Sequence, residues 1–218
     1  DVHCHGGGGE SFPNAETADQ AMVSVLEHRR HGTTSLVASC VTAAADVLRA
    51  RTRVLADLCD AGELAGIHFE GPFVSVERCG AQDPTYIIDP DADLVRELIA
   101  LGRGHVATMT IAPEKPGVTG DDGVIAALIA GGALPSLGHT DSEAGPVRAA
   151  LADAAARLGW TLTRFNRKLD NVCDKLDAAG VKGVRGGSRA HASFRRMVLV
   201  DYALAARLVT AEDLPLLD

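Results

Sequence analysis

The segment Leu64-Ala65-Gly66-Ile67-His68-Phe69-Glu70-Gly71-Pro72-Phe73 decides the fold. It is an apolar, β-prone run that stops at a Gly-Pro pair, so it reads as a strand ending in a turn. A carboxylate, Glu70, stands where the strand ends. In a parallel β/α sheet that position opens onto the site face, and in a (β/α)8 barrel it opens into the mouth. The competing reading is a glutamate that merely caps a turn.

Working outward, the same arrangement recurs. "TSLVASCV" (34–41) is a β-branched run followed by a helix from Thr42 to about Asp60. "HVATMTIAPE" (105–114) follows a helix near 91–101 and ends in Glu114, and "LPSLGHT" (134–140) follows a helical stretch near 122–131 and ends in His139. "DVHCH" (1–5) reads as the end of a first strand, with a helix over 15–31 behind it. A loop rich in Pro, Gly and Asp covers 74–90, and a helix restarts near Ser142. Five strands alternating with helices predict βαβ units and a parallel sheet. The expected fold class is α/β: an incomplete (β/α)8 barrel over 1–150, followed by a small all-α module over 151–218. A complete barrel takes about 250 residues, and only the first part of the chain follows the pattern.

The remaining sequence has a different character. "AALADAAARLG" (149–159) reads as an alanine-rich helix stopped by Gly159. Phe165, Leu169, Val172 and Leu176 share one face of a second helix, and a third is expected over 192–208. The chain carries a formal net charge of −8. Residues 1–150 hold 10 Lys+Arg against 21 Asp+Glu, whereas 157–207 hold 11 against 4. The acidic part argues against nucleic-acid binding and the basic part allows it. "DAAARLGWTLTRFNRKLDNVCDKL" resembles a helix-turn-helix, which would offer Arg164, Arg167, Lys168 and Asn171 to DNA. The alternative is a helical bundle with a solvated basic face. Trp160 reads as a core anchor at the turn, with base stacking as the alternative.

Hydrophobic residues make up 46% of the chain and aromatics 4%, so Leu, Val and Ala must do most of the packing. Five cysteines without a CxxC spacing favour free thiols in a reducing compartment, and a cytoplasmic location is expected. No apolar run approaches the roughly 20 residues that span a bilayer, and no charged-then-apolar leader is visible.

The polar residues at the strand ends form a candidate site. His3 and His5 are two apart, so in an extended segment both imidazoles point the same way. Imidazole suits zinc and related divalent ions. Taken alone, the pair could equally be two unrelated polar residues; with Glu70 and His139 at other strand ends it reads as part of a ligand set.

"DVHCHGGGG", "HGTTS", "GIHFEGPFVSVERCGAQDP", "TIAPE" and "SLGHTD", in this order and spacing, resemble the N-acetylglucosamine-6-phosphate deacetylases of the amidohydrolase superfamily. The resemblance covers about residues 1–150. It implies a (β/α)8 barrel, a divalent metal such as zinc, and hydrolysis of the acetamide of an amino sugar phosphate. By that resemblance Glu70 and His139 are metal ligands, and His3 and His5 belong to a second metal. Gly80, Ala81 and Gln82 match a substrate-contacting loop in which many members carry His where this chain has Gln82. Cys79 reads as a surface thiol rather than a nucleophile. A homodimer is also implied.

The family continues with a second histidine in a Thr-His-Leu-Phe-Asn motif and a later Asp general base, and neither is recognisable here. An acid–base group alone is worth about 10²–10⁴-fold in rate. The expectation is therefore a metal-dependent deacetylase, truncated, with its activity alone left open, the alternative being a DNA-binding helix-turn-helix protein that carries a relic of the enzyme.

Overall fold

The computed structural model describes residues 1–160. Helix-turn-helix residues Arg164, Arg167, Lys168 and Asn171 lie outside the described residues, as do the expected helices beyond Trp160. The chain divides after Arg157, and Asp1–Arg157 forms one compact unit.

The unit begins with a two-strand hairpin, β1 (Gly6–Gly7) and β2 (Glu10–Ser11), leading into α1 (Ala18–Arg30). Then come β3 (Val37–Val41), α2 (Ala45–Asp60), β4 (Gly66–Glu70), α3 (Ala92–Leu101), β5 (Val106–Ile111), α4 (Val124–Ala130), β6 (Leu134–Leu137) and α5 (Ala144–Arg157). Strands β3 to β6 form one parallel sheet in sequential order. Two 3-10 turns, Val76–Arg78 and Pro84–Tyr86, punctuate the long loop after β4.

Local chemistry sets the helix starts. Thr17 and Gln20 make a reciprocal capping box at α1, and Asp91 accepts from the backbone N–H of Asp93 and Leu94 at α3. Each helix then turns an apolar stripe to the sheet: Leu48, Leu55 and Leu58 from α2, Leu94, Val95 and Leu98 from α3, Ile125 and Leu128 from α4. They pack with Ile67, Phe69, Met109 and Ile111 of the strands into one core. Strand β4 is buried along its whole length. Its side chains alternate, so Ile67 and Phe69 enter the apolar layer while His68 and Glu70 face the other side.

Three expectations need correction. The described sheet has four strands, not five. Asp1–His5 lies along β3 through a single bridge, Cys4 with Ala38, and backbone bonds from Val37 N to Asp1 O (2.9 Å) and Ser39 N to Cys4 O (2.8 Å). The glycines that follow turn the chain away into the β1–β2 hairpin, which ends the ladder. Residue 150 lies inside a helix, because α5 is continuous from Ala144 to Arg157. The helical restart near Ser142 and the alanine-rich helix are therefore one element. Closure of a barrel is not seen among the described residues, and no helix there is long and apolar enough to cross a membrane.

Candidate metal centre

The sheet brings three imidazoles around one carboxylate. Glu70, at the end of β4, is 7% exposed. Its Oε2 lies 3.2 Å from His3 Nε2 and 2.8 Å from His5 Nε2. Its Oε1 lies 2.6 Å from His139 Nε2. The His3 and His5 Nε2 atoms are 2.9 Å apart. Ligand atoms of His3, His5 and Glu70 all fall within 4.8 Å of one another. Four residues singled out by sequence, His3, His5, Glu70 and His139, are thus gathered at one point.

Backbone carbonyls orient two of these rings. His5 Nδ1–H donates to Ser39 O (3.2 Å) and His139 Nδ1–H to Arg78 O (2.8 Å). A neutral imidazole that gives its one proton to a carbonyl has a lone pair on Nε2. Both Nε2 lone pairs then point at carboxylate oxygen. Lone pair against lone pair is repulsive unless positive charge, a proton or a cation, sits between them.

The proton affinities follow the same logic. Burial works against ionisation of Glu70, but its bonds to His3, His5 and His139 outweigh burial and hold the carboxyl well below the usual range. His5 is pushed upward, chiefly by its bond to Glu70 and against burial. The donor chemistry therefore fits a divalent cation: imidazole nitrogens fixed by outer carbonyls and an ionised carboxylate.

His139 has a positive φ of 48°, uncommon for a side-chain-bearing residue. It is held there from three sides, by Glu70, by Arg78 O, and by Ser75 N–H donating to its own carbonyl at 2.8 Å. Such strain costs about 1–3 kcal/mol and persists where its surroundings impose it.

Beneath these groups lies a residue that the sequence reading passed over. His68 is 3% exposed, and its ring meets that of His3 edge-on with centroids 4.8 Å apart. Cys4 N–H donates to Ser39 Oγ (3.1 Å), whose hydroxyl donates to His68 Nδ1 (2.9 Å). His68 Nε2–H donates to Thr110 Oγ1 (2.9 Å). This relay ties Cys4, between His3 and His5, to β3, β4 and β5. Burial, with the nearby His3, pushes His68 down to about 3, so it stays neutral. The signal for it was present: His68 precedes Glu70 by two, on the same side of the strand.

The loop residues divide. Gly80 borders the site; a Cβ there would stand 3.6 Å from His139 Cε1. Ala81 is exposed. Gln82 turns inward: its Oε1 accepts from Thr42 N–H (3.2 Å) and from the Thr42 hydroxyl. Its buried Nε2 meets no partner among the described residues. Cys79 is half-buried in the loop. Glu114, three residues past the end of β5, braces the loop after β6 by accepting from the Thr140 hydroxyl (2.5 Å) and Asp141 N–H (2.9 Å).

Fold and site together define a class: a parallel β/α scaffold with its polar groups at the carboxyl ends of the strands. A deacetylase crystal structure from Mycobacterium smegmatis, acting by its name on N-acetyl-D-glucosamine 6-phosphate, superposes with a TM-score of 0.66 at 40% identity, over 70% of this chain and 39% of that one. An N-acetylgalactosamine-6-phosphate deacetylase of a Shewanella species is 32% identical over 72% of this chain and 39% of its own length. The N-acetylglucosamine-6-phosphate deacetylase of Bacillus subtilis is 30% identical over 95% of this chain and 52% of its own. No protein-family model matches the chain. The chain is similar to N-acetylglucosamine-6-phosphate deacetylases, and it spans about two-fifths to one-half of the length of these relatives.

Proposed function

We propose that this chain carries the metal-holding part of a deacetylase that hydrolyses the acetamide of an N-acetylated amino sugar phosphate. The observation that carries this reading is the convergence of the His3, His5 and His139 Nε2 atoms on the two oxygens of Glu70. Glu70 and His139 would hold one divalent ion of the zinc type, and His3 and His5 would lie on the side of a second. When bound, such an ion supplies Lewis acidity that activates water and polarises an amide carbonyl.

The chain's own residues set the stage for that chemistry. Ser39 and Arg78 carbonyls aim His5 and His139. Burial of Glu70 lowers the local dielectric and strengthens its hold on a cation. Gly80, beside His139, leaves room for substrate at the rim, while Ala81 and the unpaired amide of Gln82 are the adjoining loop contacts. Glu70 is engaged by three imidazoles and is a poor choice for the general base, which the reaction must draw from elsewhere.

Metal analysis tests the reading. The purified full chain should retain a divalent ion, and Glu70→Gln should lose it. Equal metal in wild type and variant would overturn it.

A second reading, duplex DNA binding through Arg164, Arg167, Lys168 and Asn171, rests on the basic balance of 157–207. The Bacillus subtilis match runs well past Arg157, which favours continuation of the same family there. A gel shift that weakens steeply with salt would support the DNA reading.

A further inference from the structure

Behind the His3–His5 pair a separate set of ligating groups converges. Cys4 alternates with its two neighbours, and its thiol meets α1 instead of Glu70. Its Sγ lies 3.0 Å from His28 Nε2. The same nitrogen is 3.1 Å from Gly6 O, and the sulfur is 3.6 Å from that oxygen. Ligand atoms of Asp1, Cys4 and His28 lie within 4.8 Å of one another. Cys4 is buried, His28 half-buried and Asp1 exposed, so the cluster has a floor and a mouth. Gly7 makes room for the ring: a Cβ there would stand 3.2 Å from His28 Nε2.

We propose that Asp1, Cys4 and His28 form a second, distinct site for a borderline divalent cation such as zinc, with the Gly6 carbonyl as a fourth donor. Sulfur, imidazole nitrogen and carboxylate oxygen are the donors zinc takes in tetrahedral sites. The Glu70 cluster offers only nitrogen and oxygen, so the two sites differ in softness and should sort metals differently. Zinc bonds of about 2.3 Å to sulfur and 2.0–2.1 Å to nitrogen hold those atoms about 3.6 Å apart in a tetrahedron. Loading must therefore open the Cys4–His28 pair by about half an ångström. The ion displaces the thiol proton, which leaves to solvent, so binding releases one proton from Cys4. An ion here would clasp the stretch bearing His3 and His5 to α1.

Cobalt(II) titration of the full chain tests the site, because a cobalt–thiolate bond gives a near-ultraviolet charge-transfer band that nitrogen and oxygen ligands do not. The band should appear, vanish in Cys4→Ser, and need at least 10-fold more cobalt in His28→Gln. It should persist in Glu70→Gln, which separates this proposal from the deacetylase reading, and in Cys79→Ser. No band in the wild type, or an unchanged band in Cys4→Ser, overturns the proposal. If Cys4→Ser does not fold, an undiminished band in His28→Gln does the same. Loss of the band in Glu70→Gln alone would move the sulfur to the first site and overturn the claim of a second.

Discussion

Glu70 and His139, 69 residues apart in the chain, meet through Oε1 and Nε2 at 2.6 Å. The other carboxylate oxygen faces His3 and His5. One buried side chain therefore divides the imidazoles into two groups. Because His5 and His139 commit their Nδ1 protons to backbone carbonyls, the centre of the cluster is rich in lone pairs and calls for positive charge.

Glu70→Gln should remove that call. An amide carries no charge and brings its own N–H donors to the lone pairs. Losing an outer partner of a metal ligand typically weakens binding about 10–100-fold, and losing the carboxylate itself should exceed that. Metal content by elemental analysis, compared between wild type and variant, reads the effect; unchanged content would show that Glu70 is not a ligand.

Thr110→Val keeps the shape of the side chain but leaves His68 Nε2–H without its acceptor. An unsatisfied buried donor costs about 1–3 kcal/mol. The urea midpoint should fall accordingly with an unchanged slope. A midpoint equal to wild type would mean the hydroxyl contributes nothing to holding His68.

Gly71→Ala should be poorly tolerated. Gly71 has a φ of 97°, and a Cβ there would overlap the Thr42 hydroxyl. Backbone strain alone is worth about 1–3 kcal/mol. The collision would also push Thr42 away from Gln82. Denaturation midpoints should show the loss, and a limited-proteolysis cut within 74–90 should become faster.

Burial pushes the Cys40 and Cys59 thiols up to about 12. Both should stay protonated and unreactive in the folded protein at mildly alkaline pH. Among the cysteines of the described residues, half-buried Cys79 should be alkylated first by iodoacetamide, as mapped by mass spectrometry. Labelling of Cys40 as fast as Cys79 would contradict the packing of β3 against the core.

Local patterns determined the alternation of strands and helices and the position of Glu70 at a strand end. They are legible because apolar period, capping and turn chemistry act within a few residues. The candidates His3, His5, Glu70 and His139 were legible for the same reason, as polar residues where apolar runs stop. Only the tertiary structure decided which of them share an oxygen, that Glu114 braces a loop, that Gln82 turns inward to Thr42, and that Cys4 meets His28. Those outcomes depend on the register of one strand against the next and on helices packed across the sheet, and contacts set over such separations leave no period in the chain.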